Sequence, residues 1–259
     1  MRMMKKVLGT VTVLALSVSL LAGCGSTAAS PVSSAASTAA ESTTSSVVSE
    51  TTSAAADENA AAAAQLLNDL TGSYQELWPV ILADEYQQTW LDDCTALVGE
   101  ENAEAAFETL SSMVTSDVYG EDAVEAYANG GGAYFCGFTN SLATLTFDGE
   151  TSTISGTDKD GNVLFSHTYH YIGMEPVRGL YEFESDDADS GEFTYFFLAP
   201  DTSAETYHIE FRYGSDAEAL SQYDAGEYAY WVASGISTDC DQTMIDNCIE
   251  LFCTENLAG

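Results

Sequence analysis

Apolar residues keep two different spacings along this chain. Through residues 61–128 they recur every three or four positions. Leu66, Leu67 and Leu70 form one set; Tyr86, Trp90, Leu91, Cys94 and Leu97 a second; Ala105, Phe107, Leu110 and Met113 a third. That period lines one face of a helix. It predicts helices over 61–70, 75–83 with a break at Pro79, 84–98, 101–114 and a short one over 122–128. After Gly130-Gly131-Gly132 the period shifts toward two, and β-branched and aromatic residues dominate. Alternation of that kind is the mark of half-buried strands. Strands are predicted near 133–138, 142–148, 151–157, 162–172, 178–184, 192–198 and 206–213. Turn signals separate them: Asp148-Gly149, Asp160-Gly161-Asn162, Asp189-Ser190-Gly191 and Ala199-Pro200. From Cys240 to Leu257 the helical period returns, with Met244, Ile245, Cys248, Ile249 and Phe252 as its stripe. Many short sequential strands suggest an antiparallel sheet curling into a barrel. The expected class is mainly β, with N-terminal helices and a C-terminal helix beside the barrel.

Two segments before this domain follow other rules. Arg2, Lys5 and Lys6 precede an uncharged apolar run from Val7 to Leu21 that is short for a bilayer span. A basic head, an apolar stretch and a small-residue end make an export signal. Its close, Leu21-Ala22-Gly23-Cys24, resembles the lipobox of bacterial lipoproteins. The resemblance implies cleavage after residue 23, a lipid on Cys24 and anchoring at the extracytoplasmic face of the cell membrane. Residues 24–64 are mostly Ser, Thr and Ala without aromatic residues, too polar to offset the entropy of ordering. Such a tether, ~40 residues long, spans roughly 35 Å. The domain itself is placed at 65–259.

Charge narrows the partners. The sequence has 41 acidic and 6 basic residues, and Arg2, Lys5 and Lys6 leave with the signal. A body this acidic repels nucleic acid and anionic lipid surfaces. It attracts divalent cations without selectivity. Five cysteines remain beyond Cys24: Cys94, Cys136, Cys240, Cys248 and Cys253. Disulfides are allowed in an exported chain, and an odd count leaves at least one thiol outside any intrachain pair. Cys240 and Cys248 lie ~12 Å apart along one helix, too far to join. A bridge from that helix reaches Cys94 or Cys136.

Candidate chemistry gathers in His208-Ile209-Glu210-Phe211-Arg212-Tyr213-Gly214. On a strand, His208, Glu210 and Arg212 share one face and Ile209, Phe211 and Tyr213 the other. An imidazole and a carboxylate two residues apart are potential ligands for one cation. A tight zinc site takes three or four ligands. His167 and His170 are the histidines that could supply a third, and three residues apart they fall on opposite faces of an ideal strand. The other reading of all four is ordinary polar surface. Arg178 and Arg212 are expected in ion pairs with acids, and Phe196 in packing. No Ser–His–Asp arrangement with a nucleophile elbow, phosphate-cradling glycine loop or C-x-x-C is present, which argues against an enzyme.

Several stretches, taken in order, resemble the ZinT/AdcA metal-binding domain family. Leu70-Thr71-Gly72-Ser73-Tyr74-Gln75-Glu76-Leu77-Trp78-Pro79 is similar to its W-x-G-x-W-x-S-x-Y-P opening. Tyr169-His170-Tyr171-Ile172-Gly173 resembles Y-x-Y-x-G, and Arg178 to Glu184 resembles R-x-L-F-E. Phe196 to Pro200 stands where the family has H-x-I-A-P, and His208 to Gly214 where it has H-F-H-F-R-Y-G. Tyr228 to Ser237 is similar to the T-Y-Y-P-x-x-L-S before its last helix. The resemblance covers about residues 65–257. It implies a lipocalin-like (calycin) barrel that binds zinc outside the cytoplasm through three histidines and serves a metal ABC importer. Here His208 matches the first histidine of H-x-H, Glu210 replaces the second and Phe196 replaces the isolated one. Two readings follow. One is a membrane-anchored lipoprotein that captures zinc or another divalent metal through His208 and Glu210, with His167 or His170 assisting. The other is a non-enzymatic module with a decayed metal site, which binds an apolar molecule in the barrel or a surface protein through Tyr223 to Trp231.

Overall fold

A computed structural model describes residues 58–128, 133–200 and 208–258. The export signal, Cys24 and most of the tether lie outside the described residues, as do Gly130 to Gly132 and the start of the strand expected at 206. Among the described residues no helix is long and apolar enough to cross a membrane.

The chain builds an eight-stranded closed antiparallel barrel in simple sequence order. The strands are β1 (Gly72–Glu76), β2 (Thr144–Asp148), β3 (Thr153–Thr157), β4 (Val163–Met174), β5 (Tyr181–Ser185), β6 (Tyr195–Leu198), β7 (Ile209–Gly214) and β8 (Ala233–Ser237). Closure comes from β1, which pairs with β2 on one side and with β8 on the other, Tyr74 opposite Ser237. The helices are α1 (58–69), α2 (Leu77–Ile81), α3 (Gln87–Val98), α4 (Glu100–Ser112), α5 (Glu121–Ala128), α6 (Ala217–Leu220) and α7 (Gln242–Leu257). The antiparallel barrel with helices beside it is what the pattern predicts, and its lipocalin-like arrangement is what the resemblance implies.

Alternation decides which side chains fill the lumen. Phe147, Ile154, Phe165, Tyr169, Phe183, Phe196, Phe211 and Tyr213 are all buried in one cluster. Their rings stack and cross: Phe196 lies 5.3 Å from Tyr213 and 5.4 Å from Tyr169, centroid to centroid. An eight-stranded barrel is just narrow enough for side chains to fill. Ala63, Leu66, Leu67 and Leu70 from α1 and the residue after it join the same cluster. Gly149, at the β2–β3 turn, is required there: a Cβ would stand 2.4 Å from the Asn68 backbone. A second cluster lies outside the wall. Leu77, Trp78 and Ile81 of α2, Trp90 and Cys94 of α3, Leu110 of α4, and Ile245, Cys248, Ile249 and Cys253 of α7 pack there with Ile236 of β8. Asp241 starts α7 by accepting the Met244 N–H at 2.9 Å, the role acidic side chains take at helix N-caps.

The pattern misplaced three elements. The helix expected from residue 75 is preceded by β1, which takes Gln75 and Glu76. The strand expected over 133–138 is only an extended segment with single bridges from Phe135 to Thr115 and Trp231. The eighth strand, β8, arises from Ala-Ser-Gly-Ile-Ser, which carries little strand propensity. Smallness is what the closure needs: a Cβ at Gly235 would come within 3.0 Å of Ile209. Later starts are smaller corrections. β5 begins at Tyr181, and β6 at Tyr195 behind a 3-10 turn over Gly191–Phe193.

Candidate functional site

The inward row of β7 is fixed by Ile209, Phe211 and Tyr213, none more than 2% exposed. His208, Glu210 and Arg212 are thereby turned to the outer face. His208 Nε2 stands 3.7 Å from Glu210 Oε1, and the two side chains are 19% and 22% exposed. The sequence-predicted pair is therefore brought together, half-sheltered. Glu210 is opposite Ser234 on β8. From α7, the Cys248 thiol reaches the same imidazole. Burial pulls the His208 pKa down, but contact with Cys248 and with the Glu210 carboxylate outweighs it and leaves it well above the ordinary histidine value. The buried Cys136 thiol is close enough to feel Glu210. Burial first, and then that charge, push it up to about 12.

The other two histidines belong elsewhere. His167 and His170 sit on β4 and face opposite ways, as their spacing predicts. His167 Nδ1 meets Asp187 Oδ2 at 2.8 Å, with its ring against Phe165. His170 Nδ1 meets Asp186 Oδ1 at 2.7 Å, and both side chains are more than half exposed. His170 is level with Glu184 on β5, Tyr195 on β6 and Gly214 on β7. Three strand spacings sideways and four residues along place it on the order of 20 Å from Glu210. The expected third ligand from β4 does not reach the pair.

Phe196, at the place of the resembled family's isolated histidine, faces Tyr213 inside the lumen. It is on the opposite side of the wall from His208 and Glu210. A zinc ion asks for three or four N, S or O donors. His208 and Glu210 suit it in type and separation. Among the described residues, no group of three or more His, Cys, Asp or Glu side chains could hold a metal ion. The pair by itself offers two donors, fewer than a full coordination sphere.

Arg212 corrects a further expectation. Its guanidinium is fully buried, yet it bonds carbonyls rather than a carboxylate: those of Leu220, Gln222 and Tyr228. It also stacks 4.4 Å from the Tyr223 ring centroid, with Arg178 on the same ring at 4.0 Å. Burial lowers its pKa to about 10, which leaves it charged at neutral pH. Glu175, also buried, accepts the N–H groups of Val177 and Arg178 instead of pairing with either guanidinium. These contacts fold the 217–231 segment inward. Tyr223, Tyr228 and Trp231 are each at most 7% exposed.

Cys248 is the contact that sequence reasoning missed. It was legible as part of the buried stripe of α7. Which strand that stripe covers depends on how α7 docks, and no local pattern encodes that.

Fold and site together define a lipocalin-like barrel with a polar His–Glu pair on its outer wall. No protein-family model matches the chain, and no curated protein matches it. Among solved structures the chain is similar to the Zn(II)-bound ZinT-like domain of Streptococcus pneumoniae AdcA. Identity is 16%, coverage is 71% of this chain and 89% of that one, and the TM-score is 0.44. It is also similar to Zn(II)-bound AdcA from Streptococcus pneumoniae, at 15% identity over 72% of this chain and 35% of that one, with a TM-score of 0.41.

Proposed function

We propose that this chain is a lipid-anchored extracytoplasmic module, not an enzyme, that binds a divalent metal ion, zinc foremost. His208 and Glu210 are its protein ligands, and the importer of that metal is its destination. One observation carries the reading: an imidazole and a carboxylate held 3.7 Å apart on a rigid strand. Imidazole favours zinc over calcium or magnesium, and the carboxylate adds a negative charge without excluding harder ions. Water completes the coordination. Two protein donors bind more weakly than three histidines, and that suits an ion which is to be handed on rather than stored. The lipobox-like Leu21 to Cys24 and the Ser/Thr/Ala stretch after it support anchoring and reach.

Neither form of the apolar reading gains support. The lumen is filled by stacked rings, and of the aromatic residues from Tyr223 to Trp231 all are buried but Tyr230, which is half-buried with its ring stacked 3.8 Å from Tyr127.

Calorimetric titration of the mature chain with zinc tests the metal reading, with excess magnesium present to saturate the acidic surface. One zinc per chain is expected, with affinity reduced about tenfold or more in both His208→Ala and Glu210→Gln, a loss of ~1.4 kcal/mol or more. Zinc uptake that is the same in both variants and in the parent would assign binding to the general acidic surface and end the proposal.

A further inference from the structure

Two buried thiols face each other across the helical layer. Cys94, in the middle of α3, and Cys253, near the end of α7, have their sulfurs 3.9 Å apart, and neither side chain is exposed. They are 159 positions apart in sequence. The helices around them are held by packed rings, with Trp90 5.7 Å from Phe252 and Trp78 4.7 Å from Phe252. A disulfide needs the sulfurs at about 2.0 Å. The other thiols are engaged elsewhere. Cys248 reaches His208, and Cys136 lies near Glu210 and Ser234. Cys240 stands before the start of α7, outside the helix expected from residue 240, and within electrostatic reach of Cys248.

We propose that Cys94 and Cys253 are joined by a disulfide when the protein folds in an oxidising compartment. The oxidant is a small-molecule or protein disulfide. The Cys94 thiol loses its proton and attacks that disulfide, forming a mixed disulfide and releasing one thiolate. The Cys253 thiolate then attacks the Cys94 sulfur, forming the Cys94–Cys253 bond and releasing the second thiolate. Two protein thiols give up two protons and two electrons, and one disulfide becomes two thiols. Burial raises both pKa values, which slows the exchange once the helices have docked. The bond therefore forms during folding. Once made, it clamps α7, the helix that carries Cys248, against α3. The inference uses no part of the metal reading.

The test is refolding of the full chain from reductant and denaturant into a mixture of oxidised and reduced glutathione. Free thiols are then blocked with iodoacetamide in denaturant, and the digest is mapped by mass spectrometry. The expected result is one cross-linked peptide pair containing Cys94 and Cys253, lighter by two hydrogens, with Cys136, Cys240 and Cys248 alkylated. Alkylation of both Cys94 and Cys253 in the refolded monomer, or a link from either to another cysteine, overturns the proposal. As a second measurement, reductant is expected to lower the thermal midpoint of the refolded parent by several degrees. It should leave the Cys94→Ala/Cys253→Ala double variant unmoved. Equal shifts in the two proteins also overturn it.

Discussion

Arg212 shows what a single buried charge does in this protein. Its guanidinium gathers three backbone carbonyls, those of Leu220 and Tyr228 in buried contacts and that of Gln222 in a part-buried one. Arg212→Met keeps much of the volume and removes every donor. The expected cost is about 2–4 kcal/mol, because each buried carbonyl left unpaired costs roughly 1–3 kcal/mol and water recovers part of it. Urea unfolding should show a lower midpoint with an unchanged slope. An unaltered midpoint would mean that the Tyr223 stack alone holds the 217–231 segment. The alternation of His208 to Gly214 made the face of Arg212 readable in the sequence, as it did for His208 and Glu210. Its partners were not readable, since carbonyls carry no side-chain signature. For the same reason an ion pair was expected where a carbonyl cage stands.

Among the elements, those with strong alternation were recovered and those made of small or mixed residues were not. β4 and β7 announce themselves through Phe, Tyr, Ile and His in alternation. β1 and β8 carry Gly, Ser and Ala, and become strands because the wall must close. The placement of Phe196 on β6 yields a sharp prediction. Phe196→His restores the residue type of the resembled motif, but in the lumen, facing away from Glu210. It should destabilise the fold by about 2 kcal/mol or more through a buried polar ring with no partner. It should add nothing to zinc affinity. A gain in affinity would show that β6 and β7 are not registered with Phe196 opposite Tyr213. At the start of α7, Asp241→Ala removes the cap on the Met244 N–H and should cost ~1 kcal/mol, read from the thermal midpoint.

For the molecule as a whole, charge is the dominant condition. The sequence carries a formal net charge of −35. Repulsion among these acids strains the compact state, and salt screens it. The melting temperature should rise steadily as sodium chloride increases from low concentration to about 0.5 M, where the screening length falls to a few ångströms. A flat response would mean that local pairing already cancels the field. Zinc is expected to raise the midpoint further at saturation, since a ligand that binds only the folded state stabilises it. The helical half, the barrel and the C-terminal helix were legible at this scale because each has its own apolar period. The docking of α7 against α3 was not, because it joins residues more than a hundred positions apart, Cys94 and Cys253 among them, and no local pattern reports it.

The seam between β1 and β8 sets the order of events for a chain made from its N-terminus. The first staves can curl early, yet Tyr74 has no Ser237 to bond until nearly all of the polypeptide has appeared. Until then the row of amides on β1 stays open to any strand that drifts by, including the same strand of a neighbouring copy. Truncations that stop short of residue 233 should therefore yield aggregates rather than smaller barrels, and the last few dozen residues act as the latch on a vessel already shaped.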